Sequence, residues 1–189
     1  GRPDLAEQPV GASGDVRGRH RAFTGLVPVP SRQLDDLRTT LARLTPGPAS
    51  PFASVHGLHF GRWVVIDELT TQPGQVRDSW PTPYLLTSTT SDDDVDPLRA
   101  LYRGLGAARD EVFRHCLGYP TDPDEAAFVA FHRCHQVRTS RFYTGYPSAT
   151  VGAVRSGLDA HRRLSDFTVN TSRADPAQLL AAFEAEFLR

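Results

Sequence analysis

The sequence predicts an α+β fold, and three kinds of pattern lead to that prediction. The stretch from His56 to Asp67 alternates between apolar and mixed positions, as a β-strand with two different faces does. After Ser31, leucines recur at spacings of three and four residues, which is typical of an amphipathic helix. Asp-Pro pairs begin three later segments, and Asp before Pro is a common start of a helix. The chain has 189 residues, a length that favours one domain.

The composition excludes several classes of function. The formal net charge is -1, so no basic excess indicates nucleic acid or an anionic membrane as a partner. No apolar run approaches the roughly 18 residues of a membrane-spanning helix. No signal peptide is visible, so the expected location is the cytoplasm, where the two cysteines are expected to be reduced. The chain has no lysine, which rules out a Schiff-base lysine and a phosphate-loop lysine.

The first half of the chain contains three predicted strands. Residues 1–20 are polar and aperiodic, and we expect a flexible N-terminal arm before a domain over residues 21–189. A long polar connection precedes the third strand, and long loops are often functional. The predicted elements are a strand over 20–29, a helix capped by Ser31, a strand over 56–67 and a strand over 83–90.

The second half of the chain predicts mainly helices. The elements are a helix from Asp96-Pro97 to about residue 117, a shorter helix after Asp122-Pro123, a strand over 136–146, a helix capped by Ser148 and a final helix after Asp175-Pro176. The order β-α-β-β-α-(α)-β-α-α predicts the ferredoxin-like split β-α-β arrangement. That arrangement is a four-stranded antiparallel sheet with helices on one face, here followed by an extra C-terminal helix.

The two faces of the 56–67 strand suggest where a ligand binds. Leu58, Phe60, Val64 and Ile66, with Arg62 among them, are predicted to face the helices. His59, Gly61, Trp63, Val65 and Asp67 are predicted to face the open side of the sheet. Folds of this shape often cover the open side by pairing sheet to sheet as a homodimer, which forms an α/β barrel able to hold one small ligand.

Several segments together resemble a known family. They are Ser50-Pro-Phe-Ala-Ser-Val-His-Gly-Leu-His-Phe-Gly-Arg-Trp-Val-Val-Ile-Asp, Pro83-Tyr-Leu-Leu-Thr-Ser-Thr-Thr-Ser-Asp, His115-Cys-Leu-Gly-Tyr-Pro and Phe142-Tyr-Thr-Gly-Tyr-Pro. They resemble a bacterial family of ferredoxin-like domains of the dimeric α/β-barrel type, with the patterns His-Phe-Ala-Arg-Trp and His-Cys-x-Gly-Tyr-Pro. The resemblance covers most of residues 22–168 and implies the fold. Some members look associated with haem peroxidase or catalase-like proteins, which implies haem as a candidate cofactor. This chain departs from the pattern at Gly61, where alanine is usual, and at the turn, where Thr89-Thr-Ser-Asp-Asp-Asp replaces Ser-Asn-Phe-Asp-Gly. The run Asp92-Asp93-Asp94 lacks the spacing of a calcium loop and is predicted to be a solvated turn.

Six residues are candidates for chemistry. The candidate catalytic residues are His59 as acid, base or ligand, Arg62 as a carboxylate-binding fork and Tyr143 as a phenol. The candidate cofactor-binding residues are His135 as an axial haem ligand, His115 at a helix end and Trp63 beside the cavity. No metal site is predicted, because His132, Cys134 and His135 lack the spacing of zinc ligands.

Three functions follow from these patterns. The first is an oxidative enzyme of bacterial biosynthetic or redox metabolism that acts on a small organic substrate, with haem as its candidate cofactor. The second is a cofactor-free cyclase or monooxygenase that uses His59 as its acid or base. The third is a ligand-binding or assembly module without catalytic activity.

Overall fold

The structure, a computed structural model, describes residues 16–68, 74, 79–138 and 142–188. These residues form an α+β fold with one four-stranded antiparallel sheet, which confirms the predicted fold class. The strands are β1 (Val16–Arg17), β2 (His20–Pro28), β3 (Leu58–Glu68) and β4 (Ser79–Asp92). The helices are α1 (Leu34–Arg43), α2 (Pro97–Gly104), α3 (Ala107–Phe113), α4 (Glu125–Cys134), α5 (Val151–Asn170) and α6 (Pro176–Phe187). The chain divides into two compact units, Gly1–Thr150 and Val151–Arg189.

The sheet begins earlier in the chain than the sequence predicts. Val16 and Arg17 pair with Arg21 and His20 as strand β1, so this end of the predicted flexible arm belongs to the sheet. Residues 1–15 of that arm lie outside the described residues. Gly18 has a φ of 60°, which suits the tight turn between β1 and β2 because glycine adopts positive φ without a steric penalty.

The strand order is β1-β2-β4-β3, so β4 lies between β2 and β3 and pairs antiparallel with both. The sheet formed by the described strands is open, with β1 and β3 at its two edges, and is not closed into a barrel. The predicted strand over 136–146 is reduced to a single bridge between Gln136 and Gly25, and residues 142–146 are not in a strand. Residues 139–141 lie outside the described part of the chain. The ferredoxin-like order, which needs that strand, therefore stays a prediction.

The hydrophobic core lies between the sheet and helices α1 to α4. Phe23 and Val27 of β2 and Leu85 of β4 are fully buried, and they share this face with Trp63 and Val65 of β3 by register. On the helical side, the fully or almost fully buried residues are Leu37, Leu98, Leu101, Val112, Phe113 and Phe128. Burial of each such side chain stabilises the fold by about 1.5–3 kcal/mol.

The predicted assignment of the two faces of β3 is wrong from Phe60 to Ile66, whereas Leu58 packs against the core as predicted. The Trp63 ring lies 4.4 Å from the ring of Phe52 and 6.0 Å from that of Phe113, so it faces the helices. Phe60, which is 49% exposed, and Val64, which is 37% exposed, lie on the open face instead. The reason is the shape of the space under the helices. Trp63 pairs with Thr87 of β4, whose small side chain on the same face leaves room for an indole.

The predicted single helix from Asp96 to about residue 117 consists of two helices. Helix α2 ends at Gly104 and α3 begins at Ala107, and Gly106 between them has a φ of 55°. That φ lies in the left-handed region, which glycine allows and which a continuous α-helix cannot include. The apolar stripe continues through the break because Leu105 and Val112 are both buried.

The second unit is a pair of helices. Phe167 of α5 packs against Phe183 and Phe187 of α6, with ring centroids 5.9 and 5.4 Å apart. Asp175 caps α6 through the backbone N–H groups of Ala177 and Gln178, as the Asp-Pro signal predicts. Within the described residues, no helix is long and apolar enough to cross a membrane.

Candidate functional site

Two histidines and one aspartate meet at one end of the sheet. His59 donates a hydrogen bond from Nε2 to Oδ1 of Asp92 at 2.7 Å. The ring of His20 lies against the ring of His59, with centroids 4.3 Å apart and an angle of 51° between the planes. The three side chains come from three strands, because β4 supplies Asp92, β2 supplies His20 and β3 supplies His59. We call these three residues the His-Asp cluster.

A bulge in β3 places His59 in this cluster. Leu58 pairs with Ser91, whereas Phe60 pairs with Thr90, so His59 is an extra residue in the ladder. A bulge of this kind reverses the alternation of side chains along the strand. His59 therefore contacts Asp92 and His20 on the open side, although Gly61 and Trp63 of the same predicted face turn toward the helices. The prediction that His59 lies on the open side is thus consistent with the structure, although the assumed register is not.

The hydrogen bond to Asp92 fixes the proton on His59. A carboxylate only accepts hydrogen bonds, so the neutral imidazole has its hydrogen on Nε2 and a lone pair on Nδ1. Nδ1 has no hydrogen-bond partner among the described residues. The side chain of His59 is 19% exposed and that of Asp92 is 11% exposed, so both groups are mostly buried and the imidazole keeps some contact with solvent. A proton taken up at Nδ1 gives an imidazolium that the Asp92 carboxylate stabilises.

Both ring nitrogens of His20 are occupied. Nε2 lies 2.6 Å from the carbonyl oxygen of Ala149 and Nδ1 lies 2.7 Å from Oγ1 of Thr144. A carbonyl oxygen only accepts, so Nε2 of His20 is the donor, and in the neutral ring Nδ1 accepts from the Thr144 hydroxyl. His20 is only 6% exposed.

The segment 142–150 is held against the turn between β1 and β2 by further contacts. The backbone N–H of Arg19 donates to the carbonyl of Pro147 at 2.6 Å, and the guanidinium of Arg17 lies 5.6 Å from the ring centroid of Tyr143. A Cβ on Gly18 would meet the Pro147 carbonyl oxygen at 2.2 Å, so this close approach requires glycine. The segment therefore forms one wall beside the cluster.

The structure separates the other predicted site residues. Tyr143 lies in the segment next to the cluster, and its side chain is 76% exposed. Arg62 lies on the open face near Phe60, with its guanidinium 5.8 Å from the Phe60 ring centroid and no ion pair within the described residues. Trp63 lies in the core, away from the open face.

His115 is held by two hydrogen bonds. Nδ1 lies 2.8 Å from Oε1 of Gln33 and Nε2 lies 3.2 Å from Oγ1 of Thr40. Burial lowers the pKa of His115, which favours the neutral ring. With both nitrogens occupied, this histidine does not fit the role of a haem ligand.

His135 keeps one nitrogen available. Its Nδ1 lies 2.8 Å from the carbonyl oxygen of Phe131, and its ring packs on that of Phe131 at 4.7 Å. An Nδ1–H bond to a backbone carbonyl leaves the Nε2 lone pair free, which is the usual orientation of a ligating histidine. His135 is partly buried at the C-terminal end of α4, and its Nε2 is the nitrogen that would hold a haem iron.

The surface has cavities apart from the cluster. One, of about 410 Å³, lies beside α2 and includes His56, Arg99 and Arg103. Another, of about 480 Å³, includes Asp110 and Tyr119. Neither includes His59. The described part of the chain contains no group of three or more His, Cys, Asp or Glu side chains arranged for a metal ion.

Sequence reasoning missed two members of the cluster. Asp92 belongs to the acidic run that the sequence predicts to be a solvated turn, yet it is 8% exposed and bonds to His59. His20 was assigned only to a strand start. The signal that could have found them is their position, because both residues lie at the end of a strand and the ends of neighbouring strands lie side by side. Only the pairing of β2 with β4, which puts His20 opposite Asp92, shows that these two ends meet.

Comparisons of the chain with models of protein families, with curated proteins and with solved structures give no match.

Proposed function

We propose that the protein is an enzyme that moves a proton on a small organic molecule, with His59 as the acid or base and Asp92 as its partner. The proposal rests on one observation, the 2.7 Å bond that fixes the hydrogen of His59 on Nε2 and leaves Nδ1 without a hydrogen-bond partner among the described residues. A positioned histidine of this kind typically accelerates proton transfer by about 10²–10⁴-fold. The reaction class is abstraction of a proton from an activated carbon or hydroxyl group, as a cofactor-free cyclase requires. In a monooxygenase of the same design, molecular oxygen is the oxidant of the resulting anion.

The open face of the sheet suits a partly apolar substrate. Phe60 and Val64 are exposed large apolar side chains on that face, on the same strand as His59. Arg62 between them has no ion pair within the described residues, so a carboxylate or enolate of a substrate is a suitable partner for it. These residues support a small substrate that combines an aromatic or aliphatic part with an anionic group.

We also propose that the sheet has the ferredoxin-like strand order, that the protein is a homodimer and that it resides in the cytoplasm. A ferredoxin-like order is supported by the bridge from Gln136 to Gly25 and by the bond from the Val137 N–H to the Thr24 carbonyl at 2.9 Å, which place the chain beside β2. The exposure of Phe60 agrees with a homodimer that covers the open face. A measurement of the molecular mass in solution tests for this dimer. Cytoplasmic residence agrees with two free cysteines, Cys116 and Cys134.

The test uses hydrogen exchange, because the exact substrate need not be known. Aryl ketones and aryl 1,3-diketones are incubated with the protein in deuterated buffer, and deuterium uptake at carbon is followed by proton NMR. We expect catalysed exchange in the wild type, a loss of at least about 100-fold in His59→Ala, and a smaller loss in Asp92→Asn, because the amide no longer stabilises the imidazolium. His56 is an exposed histidine three residues before His59 in the chain, so His56→Ala is the matched control and is expected to keep full activity.

Two results would count against the enzyme. If His59→Ala keeps the circular dichroism spectrum and the melting temperature of the wild type and also the same exchange rate, His59 is not the base. If no compound exchanges but several bind, as seen by shifts of the His59 resonances, the module without catalytic activity is the better function.

A haem-dependent oxidative enzyme is the second candidate, and one observation favours it. The Nδ1 of His135 is bonded to a backbone carbonyl, so Nε2 is oriented as in a ligating imidazole. Haem, when bound, would supply the oxidative chemistry. An absorption spectrum of the isolated protein and a titration with haemin test this candidate. A Soret band that shifts in His135→Ala and not in His115→Gln supports it, and the absence of any band after haemin addition excludes it.

A further inference from the structure

The His-Asp cluster contains a histidine that the proposed proton transfer does not use. His20 lies against His59 at 4.3 Å, yet both of its nitrogens are bonded to Thr144 and Ala149. It therefore has no lone pair or N–H left for a substrate. A buried imidazole with every polar atom satisfied, placed against the partly exposed one, is suited to hold its neighbour in place.

The neighbour needs such support. An imidazole that is bonded to a carboxylate through Nε2 can still make half a turn about its Cβ–Cγ bond, which moves Nε2 away from the carboxylate and brings the carbon Cε1 toward it. In His59 the turned ring would lose the bond to Asp92, so the hydrogen would no longer be held on Nε2 and the Nδ1–H tautomer would become more populated. The tilted contact with His20 occupies the space beside the ring, so it hinders this turn.

His20 is itself held in place by residues 142–150. The Ala149 carbonyl requires a hydrogen on Nε2 of His20, and the Thr144 hydroxyl satisfies Nδ1, so two bonds from segment 142–150 define the plane of the ring. The segment is in turn attached to the β1–β2 turn through the bond between Arg19 and Pro147. Contacts therefore run from residues 142–150 to His20, and from His20 to His59.

We propose that His20 is a positioning residue for His59. It keeps Nε2 of His59 hydrogen-bonded to Asp92, which leaves the Nδ1 lone pair for a substrate, and His20 is itself held by Thr144 and Ala149. This inference rests on the proposed function for its catalytic meaning, but the orientation of His59 is measurable on the protein alone.

The first measurement is the tautomer of His59. Nitrogen chemical shifts of the labelled full-length protein, recorded at alkaline pH where histidines are neutral, separate the two tautomers of each of the seven histidines. We expect His59 to be almost entirely in the Nε2–H form. In His20→Ala the Nδ1–H fraction is expected to rise at least roughly fivefold, a change of about 1 kcal/mol in the tautomer equilibrium. In His20→Phe the ring contact survives, so the wild-type ratio is expected to persist.

Two further variants complete the design. Thr144→Val keeps the shape of the threonine and removes only the hydroxyl, so His20 is held by one bond and the Nδ1–H fraction of His59 is expected to lie between the wild type and His20→Ala. His56→Ala is the control and leaves the ratio unchanged. If His20→Ala does not fold, Thr144→Val decides the question. An unchanged His59 ratio in every folded variant at positions 20 and 144 would overturn the inference.

The second measurement separates this inference from the proposed function. In the exchange assay His20→Ala is expected to lower kcat roughly 10- to 100-fold with little change in KM, because His20 does not touch the substrate. A changed tautomer ratio together with unaffected exchange in His59→Ala would remove the proposed function and keep the positioning role. If the tautomer ratio of His59 stays constant in the variants and His59→Ala loses the exchange activity, the positioning role is removed and the proposed function is kept.

Discussion

The buried histidine His132 gives a stability prediction that does not depend on the proposed reaction. It is fully buried in α4, and its ring packs against those of Phe23, Phe113, Phe128 and Phe131. Its Nδ1 bonds to the Phe128 carbonyl, and its Nε2 has no hydrogen-bond partner within the described residues. Burial lowers the pKa of His132 to about 4. The ring is therefore neutral in the folded protein at ordinary pH.

The sign of the pH effect follows from which state binds the proton. In the unfolded chain the pKa of a histidine is about 6.5. Below that pH the unfolded state therefore binds a proton at this histidine, whereas the folded state does not. Stability from this group is complete above pH 6.5 and is lost as the pH falls toward 4. With a folded pKa of about 4, the loss between pH 7.5 and pH 5 is about 2 kcal/mol, and the full loss in more acidic solution is about 3 kcal/mol.

The perturbation is His132→Leu, which has similar volume and cannot take up a proton. Urea unfolding of wild type and variant, followed by tryptophan fluorescence, gives the free energy of unfolding at each pH. We expect the difference between the two proteins to change by about 2 kcal/mol between pH 7.5 and pH 5, in favour of the variant at low pH. His115 and the carboxylates are present in both proteins, so their contributions cancel. Parallel pH profiles for the two proteins would refute the assignment of His132 as a neutral, buried group.

Three further predictions concern packing, thiol reactivity and capping. Gly61→Ala is expected to lower the free energy of unfolding by about 1–3 kcal/mol, because the new Cβ would meet the Phe52 ring at 2.5 Å; unchanged urea midpoints would contradict this. Cys134 is exposed, whereas burial raises the pKa of Cys116 to about 12, so Ellman's reagent is expected to modify one thiol in the native protein and two in urea. Fast reaction of both native thiols would be inconsistent with the structure. Asp175→Ala removes the cap of α6 and is expected to destabilise that helix by about 1 kcal/mol, measured as a loss of helical circular dichroism on mild heating, with Asp175→Asn as the control that keeps it.

Local signals in the sequence were sufficient for most element positions. The alternation around His59, the leucine spacing in α1 and the Asp-Pro starts of α2 and α6 correspond to observed elements, because each depends on residues close in the chain. The break between α2 and α3 at Gly106 was missed, since the apolar stripe continues across it and periodicity alone does not register a turn.

The orientation of β3 was not predictable from its own residues. Aliphatic side chains such as Val64 suit either face of a sheet, and the outcome depends on which residues lie opposite. Here Thr87 on β4, Gly61 on β3 and Phe52 before it form a place for Trp63 under the helices. Those contacts join residues far apart in sequence, so single-strand patterns do not contain them.

The candidate site also depends on contacts between residues that are far apart in the sequence. His59 is predicted as a site residue because it lies in mid-strand on the face with mixed side chains, whereas its partner Asp92 falls in an acidic run that is predicted to be a solvated turn. The one-residue bulge before Phe60 decides that His59 meets Asp92, and a single extra residue in a ladder leaves no mark in composition or period.

The outer edge of β3 has a consequence for how molecules of this protein meet at high concentration. Within the described residues no strand pairs with that edge, so its amides and carbonyls point outward and offer a template to another chain. Irregularities on both sides of Phe60–Ile66 interrupt the ladder. A foreign strand that adds here meets only a short regular stretch before the edge twists away, and this limits the growth of ordered aggregates from the native protein.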